Sequence, residues 1–431
     1  MEPKQLFDFI EERLEDVDLE NENEEPDSII EAIECTEFND LCGYFERSME
    51  FTNQLRQTFA CMLATVCSTT LQGEQLWLRV IDVPGAAKTT LAKAIGAATE
   101  YVKQLDVMTG MTSGLGKAGT STDASLVPLI RNKTVLFQDG DTLAQSGNQK
   151  GIASEMRAMY NRELHVDFRN SKKHVYKEIN SSFIICATDD IRKHDASMRG
   201  ARFVDVPIVD PNSDISKILD SAFTAEEEAI GLSLGTIEKP KTDPVPARAA
   251  TKGWIIHHRK LFDNASAESP VHIPRLDDKS RIRLKKLADL LSYARVQAPA
   301  ARDEPIFRPR RELSTRLCRQ FVKLSMLLMY VMNKRKFDDE VMDVLRSVIR
   351  CTAYGYQWDI IEGLSKSKSG MSTIAIAKML GLSSQHVYRM VGAMTAIKIV
   401  EKRLSRSGSR GAPTEMVHLS DELKFLMGEM K

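Results

Sequence analysis

Between Asp82 and Thr90 the chain reads Asp-Val-Pro-Gly-Ala-Ala-Lys-Thr-Thr. The stretch lies between an apolar run, Leu76 to Val83, and helix formers from Thr89 to Lys103. A loop joining a strand to a helix N-terminus turns backbone N–H groups toward an anion without needing any particular side chain. A lysine and a hydroxyl at its end then suit phosphate and its Mg2+. Lys88 would reach the β- and γ-phosphates of ATP and Thr89 would hold Mg2+, with Pro84, Gly85, Ala86, Ala87 and Thr90 completing the cradle. The usual pattern, G-x-x-x-x-G-K-[ST], has lost both framing glycines, to Asp82 and Ala87. Ala87 carries a steric penalty wherever the loop needs positive φ, and Asp82 brings a carboxylate toward an anionic ligand. Two plainer readings use the same residues: a strand–turn–helix with a chance Lys-Thr, or a degraded loop that binds nucleotide weakly or not at all.

Later apolar runs end in further candidates. Val135-Leu136-Phe137-Gln138-Asp139-Gly140-Asp141 runs from strand to carboxylates, about fifty residues after the loop. An acid at such a tip holds the Mg2+ shell and orients water. Asp139 is therefore the metal candidate beside Thr89, and Asp141 the candidate for a neighbouring base, although an Asp turn is also a common way to end a strand. Ser182 to Ala187 ends in Thr188-Asp189-Asp190, where a polar residue can sense the γ-phosphate. Arg202 stands just before Phe203 to Ile208. An arginine there can stabilise transition-state charge in a neighbouring subunit's site, or lie on the surface at a strand edge.

In this order, Leu76–Thr90, Asn132–Asp141, Phe183–Asp189 and Arg199–Phe203 resemble the AAA+ ATPases. The likeness is greatest to the branch of minichromosome-maintenance helicases and the replication ATPases of phages and mobile elements, and it covers roughly residues 55–355. It implies catalytic roles for Asp139, Asp141, Asp189 and Arg202, with Arg202 as the arginine finger and an altered sensor 1 at Thr188/Asp189. Glu312-Leu313-Ser314-Thr315-Arg316 is similar to the family's sensor-2 segment, so that Arg316 would touch nucleotide. Hydrolysis between subunits implies a ring, a hexamer. The family also places a β-hairpin before sensor 1, with a lysine facing DNA. His165–Asn170 and His174–Ile179 alternate polar and apolar around Ser171-Lys172-Lys173, as a hairpin does, so Lys172 and Lys173 are candidate DNA contacts or merely a solvated turn. The glutamate base usual in the family is not evident.

The end of the chain holds a second module. From Ser372 to Met390 it reads as a helix–turn–helix: Thr373 caps a helix with Ile374, Ala377 and Leu380 inward, Gly381 ends it and Ser383 caps the next. Ser384, Gln385, Tyr388 and Arg389 form the outward face of the second helix, suited to phosphate and base edges. Ile399–Arg403 and Glu415–Leu419 flank a wing with Arg406 and Arg410 near its tip. Residues 364–431 carry 11 bases against 5 acids, consistent with a phosphate-contacting surface, and a winged helix used for protein contact is the alternative.

These residues need elements to hold them. Strands alternating with helices imply an α/β, doubly wound core, and the resemblance makes it an AAA+ P-loop ATPase core with a helical lid and a C-terminal winged-helix domain. The expected division is an acidic helical N-terminal region at 1–54, the ATPase core at 55–230, a linker leading into the lid at 231–275, the helical lid at 276–360 and the winged helix at 361–431. Of 60 acidic and 59 basic residues, residues 1–50 hold 18 and 3, so the rest is basic by 14, as suits DNA. No run of eighteen apolar residues appears, so no membrane partner is expected. Seven cysteines without zinc spacing exclude a disulfide framework and read as reduced, intracellular protein, which is cytoplasmic, nucleoid-associated or in a phage-infected cell. The expected function is an ATP-dependent DNA motor, a replicative helicase or helicase-like initiator of a phage or mobile element. The alternatives are a nucleotide-binding regulator or origin-recognition protein with weak or no hydrolysis, and a protein-remodelling adaptor without DNA affinity.

Overall fold

The computed structural model describes residues 30–83, 85, 87–106, 110–112, 125–145, 149–167, 173–194, 202–209, 215–234, 236–237, 242–296, 313–353, 355–405 and 414–430. Residues 30–37 form an extended strap. Two helices follow, α1 (Phe38–Glu46) and α2 (Asn53–Ser68), the latter capped by Thr52, whose hydroxyl accepts from Leu55 N at 3.2 Å. Next come β1 (Trp77–Ile81), α3 (Lys88–Gly96), β2 (Val102–Leu105), α4 (Val127–Ile130), β3 (Thr134–Phe137), α5 (Asp141–Gln145) and α6 (Gln149–Tyr160). The hairpin β4 (Glu163–Asp167) and β5 (Lys173–Lys177) is inserted before β6 (Ser182–Ala187), α7 (Ile191–His194) and β7 (Phe203–Val206).

Five of these strands make one parallel sheet, in the order β2-β3-β6-β1-β7. β6 is central, and β1, β3, β6 and β7 are buried along their whole lengths. Such near-continuous apolar runs are what a sheet covered on both faces requires. Leu78, Val80, Ile184, Cys186, Val204 and Val206 face one core, together with the apolar faces of α1, α2 and the later helices. Trp77, Ile81, Val135, Phe137, Phe183 and Ile185 face the other, with Met156, Met159 and Tyr160 of α6.

The helical part comprises α8 (Ile215–Ser233), α9 (Val245–Asp263), α10 (Asp278–Ala294), α11 (Thr315–Val331) and α12 (Asp339–Thr352). Two expected boundaries shift. The stretch at 231–275 is not a linker, because 19 of its residues form α9, which buries Trp254, Ile255 and Arg259. Pro244 and Pro246, which suggest a linker, sit at the helix start, where a missing N–H costs nothing. Nor does residue 54 divide the chain, since Phe38, Leu41 and Phe45 of α1 are buried in the common core. The strap lies along α9, with Ile33 N donating to Ala249 O at 3.0 Å. Gly253 allows the approach, for a Cβ there would stand 1.8 Å from the Ile33 carbonyl oxygen. The helix expected to run to Lys103 stops at Gly96 instead, and Val102–Leu105 forms the sheet edge. That strand is half-buried and rich in helix formers, so its alternation was too short to read.

The C-terminal unit holds α13 (Tyr356–Lys366), β8 (Met371–Ser372), α14 (Thr373–Leu380), α15 (Ser384–Ala396), β9 (Val400–Ser405), β10 (Thr414–Leu419) and α16 (Asp421–Met427), with an antiparallel sheet ordered β8-β10-β9. Gly381 ends α14 at φ 66°, and Ser383 caps α15 through His386 N. Ser372, not Thr373, caps α14, and Ile376 and Ala377 face inward while Ile374 is exposed. Glu429 fastens this unit to α10 through Arg283 at 3.1 Å and Lys286 at 2.9 Å. Among the described residues no helix is long and apolar enough to cross a membrane.

Candidate functional site

The candidate residues divide between the two ends of the parallel strands. At the C-terminal edge the chain leaves β1 through Asp82, whose N–H donates to Ala187 O at 3.3 Å. The Asp82 carboxylate does not confront the loop's ligand side, contrary to expectation. It accepts from Val83 N at 2.8 Å, Ile208 N at 2.9 Å and Val209 N at 2.7 Å. An acid where glycine was expected therefore ties the loop's entrance to the segment after β7. Gly85 has φ 82° and Ala87 φ 58°, so the alanine does occupy a left-handed position. α3 starts directly after it, and its first N–H groups offer an anion site. Lys88 Nζ donates to the carbonyls of Asp82 and Val83, the latter at 2.9 Å, which keeps the ammonium at the loop. Thr89 is exposed and Thr90 half-buried. Pro84 and Ala86 lie outside the described residues.

β3 brings the carboxylates to the same edge. Phe137 pairs with Ile185 and Ile81 with Ala187, so Asp139 ends level with the loop's start, two strands away, or about 10 Å at about 4.8 Å per strand. Asp139 is exposed, and its carboxylate accepts a local bond from Asp141 N at 3.2 Å. Gly140 is buried, and its N–H donates to Cys186 O at 2.7 Å. A Cβ there would stand 2.2 Å from Ile185 Cγ2, so no other residue fits. Asp141 receives Thr188 N on both oxygens, at 3.2 and 3.0 Å. It thus joins the β3 end to the segment after β6. Asp189 is exposed, 3.3 Å from Arg192. Thr89 and Asp139 are the residues expected to hold Mg2+; among the described residues no group of three or more His, Cys, Asp or Glu side chains could hold a metal ion.

Arg202 and Arg316 lie at the opposite edge. Arg202 directly precedes Phe203, which pairs with Trp77, the first residue of β1. The loop leaves β1 after Ile81, four steps or about 13 Å farther along the sheet. Both guanidiniums lie over the ring of Tyr160, at 5.6 Å for Arg202 and 5.7 Å for Arg316. Arg316 therefore lies beside Arg202, at the edge away from Lys88. The reason is topological, since the start of α11 follows the strand beginnings.

Tyr160 is buried and stands edge-to-face against Trp77 at 5.0 Å. Its hydroxyl donates to Glu74 at 3.2 Å and accepts from Gln320 Nε2 at 3.2 Å. Burial above all, then Glu74, pushes this phenol well above its ordinary range, so it stays neutral. Glu74 also meets Arg319 at 2.8 Å, and its carbonyl receives Lys323. Burial and the nearby Arg162 bring the Lys323 ammonium down to about 8.

Between the edges runs a buried ion pair. Arg79 Nε and Nη2 donate to Asp205 at 2.7 and 3.0 Å, with both side chains closed to solvent. Arg192 stands 3.6 Å from the same carboxylate, and Asp205 N donates to Thr352 of α12. Sequence reading missed this pair, as it missed Glu74 and Tyr160. A signal existed, because Trp-Leu-Arg-Val-Ile and Phe-Val-Asp-Val each carry one charge, of opposite sign, inside an apolar strand.

Of the nucleic-acid candidates, Ser384, Gln385, Tyr388 and Arg389 are exposed on α15, and Lys402 of β9 lies over the Tyr388 ring at 4.5 Å. Lys173 pairs with Asp167 at the last rung of the β4–β5 ladder, so it belongs to β5 and not to the turn where it was expected. Lys172, Arg406 and Arg410 lie outside the described residues. No protein-family model matches the chain and no curated protein matches it, so the site is read from its own geometry.

Proposed function

We propose that this protein is an ATP-hydrolysing motor that works on DNA as a ring of identical subunits, with an AAA+ core and a C-terminal winged helix. The observation that carries the reading is the division of one site between two edges. A phosphate loop at the C-terminal edge of β1 and an arginine pair at the N-terminal edge, about 13 Å of strand away, are poorly placed to serve one nucleotide within a chain. They can do so across a subunit boundary, as head-to-tail contacts in a ring provide.

In this reading the α3 N-terminus and Lys88 bind the β- and γ-phosphates of ATP. Thr89 and Asp139 would hold Mg2+, which would supply neutralisation of phosphate charge when bound. Asp141 fixes the height of the Thr188–Asp189 segment beside the γ-phosphate. Arg202 and Arg316 of a neighbouring subunit meet the charge that develops on the transferred phosphoryl group. The exposed face Ser384, Gln385, Tyr388 and Arg389 suits duplex DNA, and the β4–β5 hairpin suits a strand inside the ring. The test is ATP turnover by the full chain with and without single-stranded DNA. Turnover stimulated by DNA and abolished in Lys88→Ala supports the motor; absence of both turnover and nucleotide binding in the wild type sinks it.

Two observations favour a second reading, a DNA-binding regulator that uses nucleotide to hold its assembly. The carboxylate in the place of the base, Asp141, is engaged by Thr188 N on both oxygens, and Ala87 sits at a position that favours glycine. Tight ATP binding without turnover or strand displacement would select it.

A further inference from the structure

We propose that Tyr160 is the positioning residue that holds Arg202 and Arg316 together as one cationic unit, presented to the triphosphate tail of a nucleotide bound by a neighbouring copy of this chain. The proposal rests on the ATPase reading above and adds to it what sets the geometry of the two arginines.

The arginines come from elements remote in sequence, one before β7 and one at the start of α11, and like charges do not gather unaided. The Tyr160 ring offers its faces to both guanidiniums, at 5.6 and 5.7 Å, a contact that attracts cations to the ring's negative face. The ring is itself fixed in three ways. Trp77 meets it edge-to-face at 5.0 Å. Glu74 accepts its hydroxyl proton, and Gln320 donates to its oxygen, both at 3.2 Å. Gln320 Nε2 also donates to the Arg202 carbonyl at 2.6 Å, so one amide ties the ring to the backbone of the arginine it carries. Arg319 meets the Glu74 carboxylate at 2.8 Å and Lys323 donates to the Glu74 backbone carbonyl, so two further cations stand behind the ring. Cations gathered at one edge suit a ligand with several charges on one small group, as a triphosphate tail has. Placement this exact matters because a misplacement of about 1 Å costs on the order of a hundredfold in rate.

The experiment uses the full chain and four preparations: wild type, Tyr160→Leu, Tyr160→Phe and Lys88→Ala. Tyr160→Leu should lower kcat for ATP about a hundredfold while its own loop binds fluorescent ADP as the wild type does. Tyr160→Phe keeps the ring but loses the hydroxyl's two bonds, and should lose about tenfold. The deciding measurement is mixing. Tyr160→Leu has a sound loop and Lys88→Ala sound arginines, so random assembly joins them at about one boundary in four. Equimolar subunits, each nearly inactive alone, should recover up to about a quarter of wild-type turnover. No recovery, with ADP binding intact in Tyr160→Leu, overturns the proposal, since Tyr160 would then act within its own subunit. If Tyr160→Leu does not fold, and so binds no ADP, the Phe variant decides: an unchanged kcat overturns the proposal and a tenfold loss repaired by mixing upholds it. Weaker DNA binding at unchanged kcat also overturns it, as the anion would then be a DNA backbone. A wild type without turnover overturns both this inference and the reading beneath it.

Discussion

The two edges of the parallel sheet are built by different means. The C-terminal edge is made of backbone: the first N–H groups of α3, left-handed turns at Gly85 and Ala87, and carboxylates such as Asp82 and Asp141 that are spent on amides of neighbouring segments. The N-terminal edge is made of side chains: two arginines on one buried tyrosine, with Glu74 and Gln320 behind it. A backbone site is local, because a strand, a turn and a helix in succession are enough to form it. A side-chain cluster is not, because Glu74, Tyr160, Arg202 and Arg316 meet only when four segments have folded together.

The largest expected effect separates the edges directly. Lys88→Ala should abolish nucleotide binding. Arg202→Ala should leave the loop's affinity for ADP unchanged and lower kcat by about a thousandfold or more. A parallel titration of fluorescent ADP and a turnover assay on both variants check this, and loss of ADP binding in Arg202→Ala would break the comparison.

Next comes the link between the edges. Arg79→Met leaves Asp205 buried with only Arg192, at 3.6 Å, for company, and should cost about 3–5 kcal/mol. Combined with Asp205→Leu it should regain most of that stability, since no buried charge is then stranded and Arg192 keeps Asp189. Urea unfolding of the single and double variants measures it.

A third prediction lies away from both edges. His258 accepts the Tyr330 hydroxyl at 2.6 Å and donates to the Thr36 carbonyl of the strap at 2.9 Å. Burial brings this imidazole down to about 4. The folded chain thus resists a proton that the unfolded chain takes up near 6.5. Stability is whole above that pH and falls as pH drops toward 4, by about 3 kcal/mol in all. Thermal unfolding of wild type against His258→Gln across this window should show the difference, with the loop's affinity for ADP at neutral pH the same in both.

The smallest effect sharpens the account of the loop. Ala87→Gly should relieve a left-handed alanine and tighten ADP binding by about 1 kcal/mol. Weaker binding would mean that the methyl group supports the loop.

Much of the sheet was legible in the sequence, because β1, β3, β6 and β7 are buried on both faces and read as continuous apolar runs. The edge strand β2 was not, since four half-buried residues rich in helix formers carry too little pattern. α9 was hidden by prolines that start it. Of the candidate site, the residue types at the loop, the acids at the β3 tip and the turn at Gly381 were fixed by local sequence, for the physics that selects them acts within a few residues. Tertiary structure alone decided that Asp82 turns its charge to Ile208 and Val209, that Arg79 finds Asp205, and that Arg316 stands with Arg202 on Tyr160 and not with Lys88. Those outcomes depend on which strand ends share an edge. That is set by the order of strands in the sheet, a property no short stretch of chain contains.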